Sequence, residues 1–344
     1  MRLNTVLSTG LAVGLLACMS EENATEPSTV GSAQLVVAAP YRAVDLGTLG
    51  GLNSFAFAIN HQGWVVGYSE TGAGKFHAFL WKNGIMRDLG TLGGDHSQAS
   101  GINHKGQVVG WSSTAEGHQH AFLWRNGVMS DLGTLGGNGS RASAINDVGQ
   151  VVGVSETAKE WPWETRAVLW EKGVISDLLG HESSASDING AGQVVGQLRE
   201  VGVNCCRPYL WDNGDVSELE SPSGGDAWAL NASAQAVGYN WFLQDGDAVE
   251  HAAFWDESVT RDLGTLGGPR SLATDVSPTG QVVGFSETAA GMIRAFIWEQ
   301  DVMTDLGTLG GGNSLAYGIN RGGSAVGQSQ TPTGDYHATL WTRK

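Results

Sequence analysis

From residue 41 onward the apolar residues arrive in short runs, each fenced by Gly, Asn or a charged side chain. The first full cycle reads SFAFAIN, GWVVGYS, HAFLW and GIMRDLG, between residues 54 and 90. Runs of this length, rich in β-branched and aromatic residues and bounded by turn formers, predict four successive strands. Asn-Gly separates the third run from the fourth in WKNGIM and again in WRNGVM, the signature of a two-residue hairpin turn. The cycle then recurs to the end of the chain. Marked by its tryptophan, at 81, 124, 170, 211, 255, 298 and 341, it makes seven units. Marked by its carboxylate, at Asp45, Asp88, Asp131, Asp177, Glu218, Asp262 and Asp305, it has spacings of 41 to 46 residues.

Between cycles stands DLGTLGG, identical at 45–51, 88–94, 131–137, 262–268 and 305–311. An interior glycine costs a helix about 1 kcal/mol, so this heptapeptide reads as the tight crossing from one unit to the next. A four-stranded meander repeated seven times predicts an all-β fold, a seven-bladed β-propeller over residues 41–344. The ends of the repeat agree. The chain finishes at HATLWTRK without a fourth strand, while YRAVDLG at 41–47 is a fourth strand with no unit before it. Tyr41–Leu46 is expected to complete the last blade and close the ring, which a linear solenoid with polar caps would not require.

Two recurrent features are assigned to the scaffold. Ala56, Ala99, Ala142, Ala185, Ala227, Ala273 and Ala316 hold one position of the first strand, where crowding near the axis admits only small side chains. The slot four before each tryptophan holds His77, His120, Arg166, Arg207, His251, Arg294 and His337. Arginine does not ligate metals, so this slot is expected to pair with the unit's carboxylate.

Composition narrows the partners. A net charge of −16 opposes nucleic acid, whose phosphates need a basic face, and no nucleic-acid partner is expected. Residues 1–18, MRLNTVLSTGLAVGLLAC, carry one Arg and an apolar stretch too short to span a bilayer, the pattern of a secretory signal. The ending Leu-Leu-Ala-Cys resembles a bacterial lipobox, with Cys18 as the acylated residue. Residues 19–40 are small, polar and Pro-interrupted and read as a flexible tether, so the membrane is touched only through the lipid. Met19 after that cysteine favours the outer membrane in a Gram-negative cell. Cys205 and Cys206 are adjacent and make neither a disulfide framework nor a zinc site. No nucleophile elbow, H-E-x-x-H, phosphate loop or correctly placed dinucleotide fingerprint occurs. The chain is read as non-enzymatic and without a cofactor, with calcium in the ring left open.

The ordered phrases DLGTLGG, SxAxxIN, GQVVGxS and HAFLW resemble the HAF-type extracellular repeat of exported bacterial proteins across residues 41–344. The resemblance implies an extracellular location and a repeat architecture, but no chemistry. Units 4 and 5 depart from it, with DLLGHESSAS and ELESPSGGDAW in place of the heptapeptide. The loops of units 3 and 5 carry Trp161, Trp163, Trp241 and Phe242, and Trp228 sits on the first strand of unit 5. Exposed aromatics beside acids suit stacking on sugars or docking a protein. The expectation is a monomeric, non-catalytic binding scaffold at the cell envelope with a carbohydrate or protein ligand. The alternatives are a purely structural surface protein, or a carbohydrate-active enzyme using Asp187, Asp226 and Asp275 on first strands.

Overall fold

The computed structural model describes residues 40–158, 164–199, 206–221, 224–244, 247–257 and 259–344, and among these the chain is strand and turn without a helix. In unit 1 the apolar runs become the strands Gly50–Ile59, Val65–Thr71, Phe76–Lys82 and Ile85–Asp88, bonded in chain order into one antiparallel sheet. Asn83 and Gly84 turn its last hairpin with φ of 53° and 82°. Positive φ at both positions is the geometry that matches the twist of paired strands, and Asn-Gly reaches it at least cost. Four further sheets of four strands repeat the pattern. The last is completed by Tyr41–Asp45, which pairs antiparallel with Tyr336–Arg343 from Tyr41↔Arg343 to Asp45↔Thr339. The N-terminal strand thus closes the last unit, as expected.

Among the described residues the sheets number six, because units 3 and 4 share a seven-stranded one. Val174–Ile188 runs unbroken for 15 residues, pairing through 174–177 with Thr165–Glu171 and through 183–188 with Val194–Arg199. The break fails here because DLLGHESSAS lacks the threonine and paired glycines that fold the crossing elsewhere.

Where DLGTLGG is intact, each letter has a contact. At 45–51, Asp45 Oδ1 accepts the Gly47 N–H at 2.7 Å, Leu46 is buried, and Gly47 sits at φ +77°. The Thr48 hydroxyl donates to Gly51 O, and Leu49 N–H donates to the Ser69 hydroxyl. A Cβ on Gly51 would lie 2.5 Å from Glu70 Cγ, so the neighbouring strand leaves no room for a side chain.

The first strands of successive units touch in order, and the circuit closes between Ser314–Ile319 and Gly50–Ile59. Apolar side chains fill the space between adjacent sheets, as Val66 and Leu80 do with Val108, Phe122 and Trp124 between units 1 and 2. Two sets of side-chain links stitch the same joints. In the first, the Asn of each "IN" phrase donates from Nδ2 to the carbonyl of its counterpart in the next unit. Asn60 reaches Asn103, Asn103 reaches Asn146, Asn146 reaches Asn189 and Asn189 reaches Asn231, each at 3.1 Å. Asn231 reaches Ser277 at 3.3 Å, and Asn320 returns to Asn60 at 3.4 Å. In the second, a third-strand N–H donates to a first-strand serine of the next unit, as Ala78 does to Ser97, and that hydroxyl donates to Gly90 O. Ser140, Ser183, Ser271, Ser314 and Ser54 play the same part.

Each set has one gap. Ser277 stands where an asparagine would reach unit 7. Pro208, which has no N–H, stands where an alanine would reach unit 5, and Gly225 stands in place of the serine it would meet.

Asn146 is buried, and its Oδ1 accepts the N–H groups of Gly149 and Gln150 while Nδ2 spans to unit 4. Asn146→Ala strands these groups, so urea unfolding is expected to show a loss of about 2–3 kcal/mol. Lys105→Ala, on the exposed turn of unit 2, is expected to stay within about 0.5 kcal/mol.

Candidate functional site

The carboxylates on the first strands are the natural place to look for chemistry. Asp187 and Asp275 occupy a position that is Ala58, Gly101, Ala144, Ala229 or Gly318 in the other units. Both are partly buried. Asp187 Oδ1 accepts the Ile188 N–H at 2.8 Å, and Oδ2 accepts the Leu230 N–H at 3.0 Å. Asp275 repeats this with Val276 at 2.8 Å and Ile319 at 2.7 Å. Each carboxylate therefore spans from its own unit to the next, 4 to 5 and 6 to 7, the two joints where a link of the regular stitching is missing. Thr274 adds a bond from its hydroxyl to Ala316 O at the second of them.

Enclosure by the ring pushes Asp187 up to about 7 against the pull of its two N–H donors. The same enclosure, with the Asp187 charge added, pushes Asp275 up to about 8. A glycosidase pair or a calcium site uses carboxylate oxygens that are free to meet the ligand. Here each of the four oxygens accepts one backbone N–H, which makes both carboxylates links between units. Among the described residues no group of three or more His, Cys, Asp or Glu side chains is placed to hold a metal ion.

Asp226 has a different setting. Its Oδ2 accepts the Trp228 indole N–H at 2.9 Å, its Oδ1 is buried without a partner, and burial pushes it up to about 7. Trp228 packs edge-on against Tyr239 at 5.5 Å. That tryptophan, expected to offer itself to a ligand, is held by its own unit. Trp241 is 38% exposed, and Phe242 is half-buried with its ring 6.4 Å from His251. Both belong to the hairpin of Ala236–Gln244 and Asp247–Asp256, longer than the seven-residue pairs at the same place in units 1, 2 and 6. The hairpin borders an open groove of about 860 Å³, lined among others by Leu243, Val249, His251, Asp262 and Pro269. Trp161, Trp163, Cys18 and Cys205 lie outside the described residues, as do the signal and nearly all of the tether.

The repeated donor and acceptor do pair. His77 meets Asp88 at 2.7 Å, His120 meets Asp131 at 2.6 Å, His251 meets Asp262 at 2.9 Å and His337 meets Asp45 at 2.8 Å. Arg166 meets Asp177 at 3.2 Å, Arg207 meets Glu218 at 2.9 Å, and Arg294 stands 4.0 Å from Asp305. The stitching by Asn and Ser was the feature that sequence reasoning missed. Both residues recur in register in the phrase SxAxxIN, which is the signal that could have revealed them.

No protein-family profile and no curated protein matches the chain. Solved structures do. The β-propeller domain of the trilobed protease from Pyrococcus furiosus matches with a TM-score of 0.58 at 11% identity, over 85% of this chain and 94% of that one. An acylaminoacyl peptidase from Pyrococcus horikoshii gives 0.58 at 10% identity, over 86% and 52%. A puromycin-hydrolyzing peptidase of Mycobacterium tuberculosis gives 0.57 at 12% identity, over 89% and 55%. The chain spans about half the length of these last two. Identity at this level shows the fold, and the chain is a β-propeller. The Pyrococcus furiosus domain is described as having an open velcro topology, whereas here Tyr41–Asp45 closes the last sheet. The matches also correct the functional expectation. These propellers belong to peptidases, and the reading of a binding scaffold with a carbohydrate or protein ligand is overturned.

Asp187 and Asp275 hold protons in the fold well above the ordinary carboxylate value of 3.8. The folded chain thus binds more protons than the unfolded one from about pH 4 to pH 8, and stability falls as pH rises through that window. The melting temperature is expected to drop between pH 5 and pH 9. Asp187→Ala/Asp275→Ala, which installs a residue other units use, is expected to remove most of that drop and leave the share of Asp226. A slope identical to that of the parent would show that these carboxylates are not its source.

Proposed function

We propose that the chain is a peptidase-type propeller, itself non-catalytic, whose ring admits extended peptides and withholds folded protein from a hydrolase. The observation that carries this reading is the commitment of Asp187 and Asp275 to backbone N–H groups. In this reading those two carboxylates are structural links, and bond cleavage is assigned to another domain or chain. The likeness to propellers of peptidases supports the same assignment. The ring counts seven blades in this reading, with Val174–Ile188 serving as the outer strand of one and the inner strand of the next. The repeat is taken as HAF-type and exported, with Cys18 lipidated and residues 19–40 as the tether.

The test uses the purified chain with an N-acetyl-aminoacyl anilide, an aminoacyl amide, and a decapeptide carrying a photoreactive group. No hydrolysis is expected, and the decapeptide is expected to crosslink to the first strands, at 54–59, 225–230 and 314–319. Hydrolysis by the chain alone, or crosslinks confined to the outer strands, would overturn the reading.

A further inference from the structure

Each sheet has two ends. At one, the chain crosses to the next unit. At the other lie the turn after the first strand and the hairpin after the marker tryptophan. In unit 1 these are residues 60–64 and 82–85, set side by side by the Val65↔Trp81 pairing. Charge is spread unevenly around the ring at this second end. Arg42, Lys82, Arg87, Lys105, Arg125 and Arg321 are exposed, and among the described residues none has a carboxylate partner. All six belong to units 7, 1 and 2. The other described Lys and Arg side chains form ion pairs, apart from the half-buried Arg141 and Lys344.

The hairpins carry the sign of each unit. The residue after the tryptophan is Lys82, Arg125, Glu171, Asp212, Asp256 and Glu299 in units 1 to 6. Asp215, Glu257 and Asp301 add to the acidic side, whereas 60–64, 82–86, 103–107, 125–129 and 320–324 contain no carboxylate. One half of this face is therefore basic, centred on unit 1, and the other acidic, centred on unit 5. The same end holds most of the exposed large apolar side chains of the described residues. Ile85, Val128, Val174, Val259 and Val302 follow the hairpin turns and are 58–70% exposed, and Val148 is 69% exposed on the inner turn of unit 3. Apolar side chains set among fields of both signs are the makings of a protein interface.

We propose that two copies of the chain pair through this face, about a two-fold axis that passes through unit 3. A two-fold interface must be self-complementary, each patch meeting its counterpart on the partner. Unit 3 stands midway between the centres of the basic and acidic halves. With the axis there, unit 2 lies over unit 4 of the other copy, unit 1 over unit 5 and unit 7 over unit 6. Each basic half meets an acidic half, twice in one dimer. Arg125 comes opposite Asp212 and Asp215, Lys82 opposite Asp256 and Glu257, and Ile85 opposite Val259. Val174 meets its own counterpart at the axis, beside the Glu171–Lys172 pair. Axes through unit 1 or unit 5 would instead set base on base and acid on acid. Each copy carries a net charge of −16, but charges beyond a Debye length of about 8 Å are screened at physiological salt, so the contacts at the face decide. The pairing is independent of the peptidase-type reading and leaves the crossing end of each ring open.

Analytical ultracentrifugation of the full chain is expected to show a dimer at physiological salt that weakens about tenfold or more in molar salt. Lys82→Glu/Arg125→Glu and Asp215→Lys/Glu257→Lys are each expected to weaken it about a hundredfold, because like charges then face one another. The altered positions are all hairpin residues outside the core, so melting temperatures are expected to stay near that of the parent. Mixed in equal amounts, the two variants are expected to form a one-to-one dimer, since every contact between them is again complementary. Under oxidation Val174→Cys is expected to crosslink two copies above the level of the parent, which carries Cys18, Cys205 and Cys206. Ile85→Cys, which faces Val259 of the other copy, is not. A chain that stays monomeric to its limit of solubility, or a dimer indifferent to both charge inversions, would overturn the proposal. So would a failure of the mixed variants to pair, or a crosslink at Ile85→Cys in place of Val174→Cys.

Discussion

A ring of short strands must satisfy its buried backbone at every joint, and here one asparagine side chain does so repeatedly. Its oxygen accepts backbone N–H groups of its own turn, and its amide nitrogen donates to the carbonyl at the same turn of the next unit. An unpaired buried amide or carbonyl costs as much as several surface contacts contribute. The same side chain that shapes the turn therefore also sets the position of the neighbouring unit. The serine link does this a second time, further along the first strand, by accepting from one unit while donating within its own.

This constraint explains why the departures in units 4 to 6 come in sets. Pro208 removes a donor, and the serine that would have served it is gone too, replaced by Gly225 beside Tyr239 and Asn240. Ser277 removes the reach of an asparagine, and the same unit carries Asp275 two residues earlier. In both places the carboxylate restores a bond between units, at the expense of confining a charge. Acids inside a propeller ring are easily read as catalytic. In Asp187 and Asp275 each oxygen accepts one backbone N–H, and the second oxygen of each reaches into the next unit.

The propellers of peptidases that this chain resembles establish its fold. The long hairpin of unit 5 and the groove beside it lie within the segment bounded by the two carboxylate joints. Trp228, the aromatic most conspicuous against its counterparts in other units, is engaged by Asp226 and Tyr239.

The repeat itself was legible from the chain alone, because strand, turn and crossing each depend on local residue chemistry. Asn-Gly turns, the heptapeptide glycines and the fourth strand at Tyr41–Asp45 could be read without knowing any distant contact. So could the His–Asp and Arg–carboxylate pairs, since a donor and an acceptor recurred together. The shared sheet of units 3 and 4 was not legible, because a strand continues or breaks according to what its neighbours can pair with. Nor were the roles of Asp187 and Asp275, which span to the next unit, or of Asp226, which holds Trp228. Local propensity determined the units. Only the tertiary structure decided how each side chain spends its hydrogen bonds, because those partners lie about forty residues away.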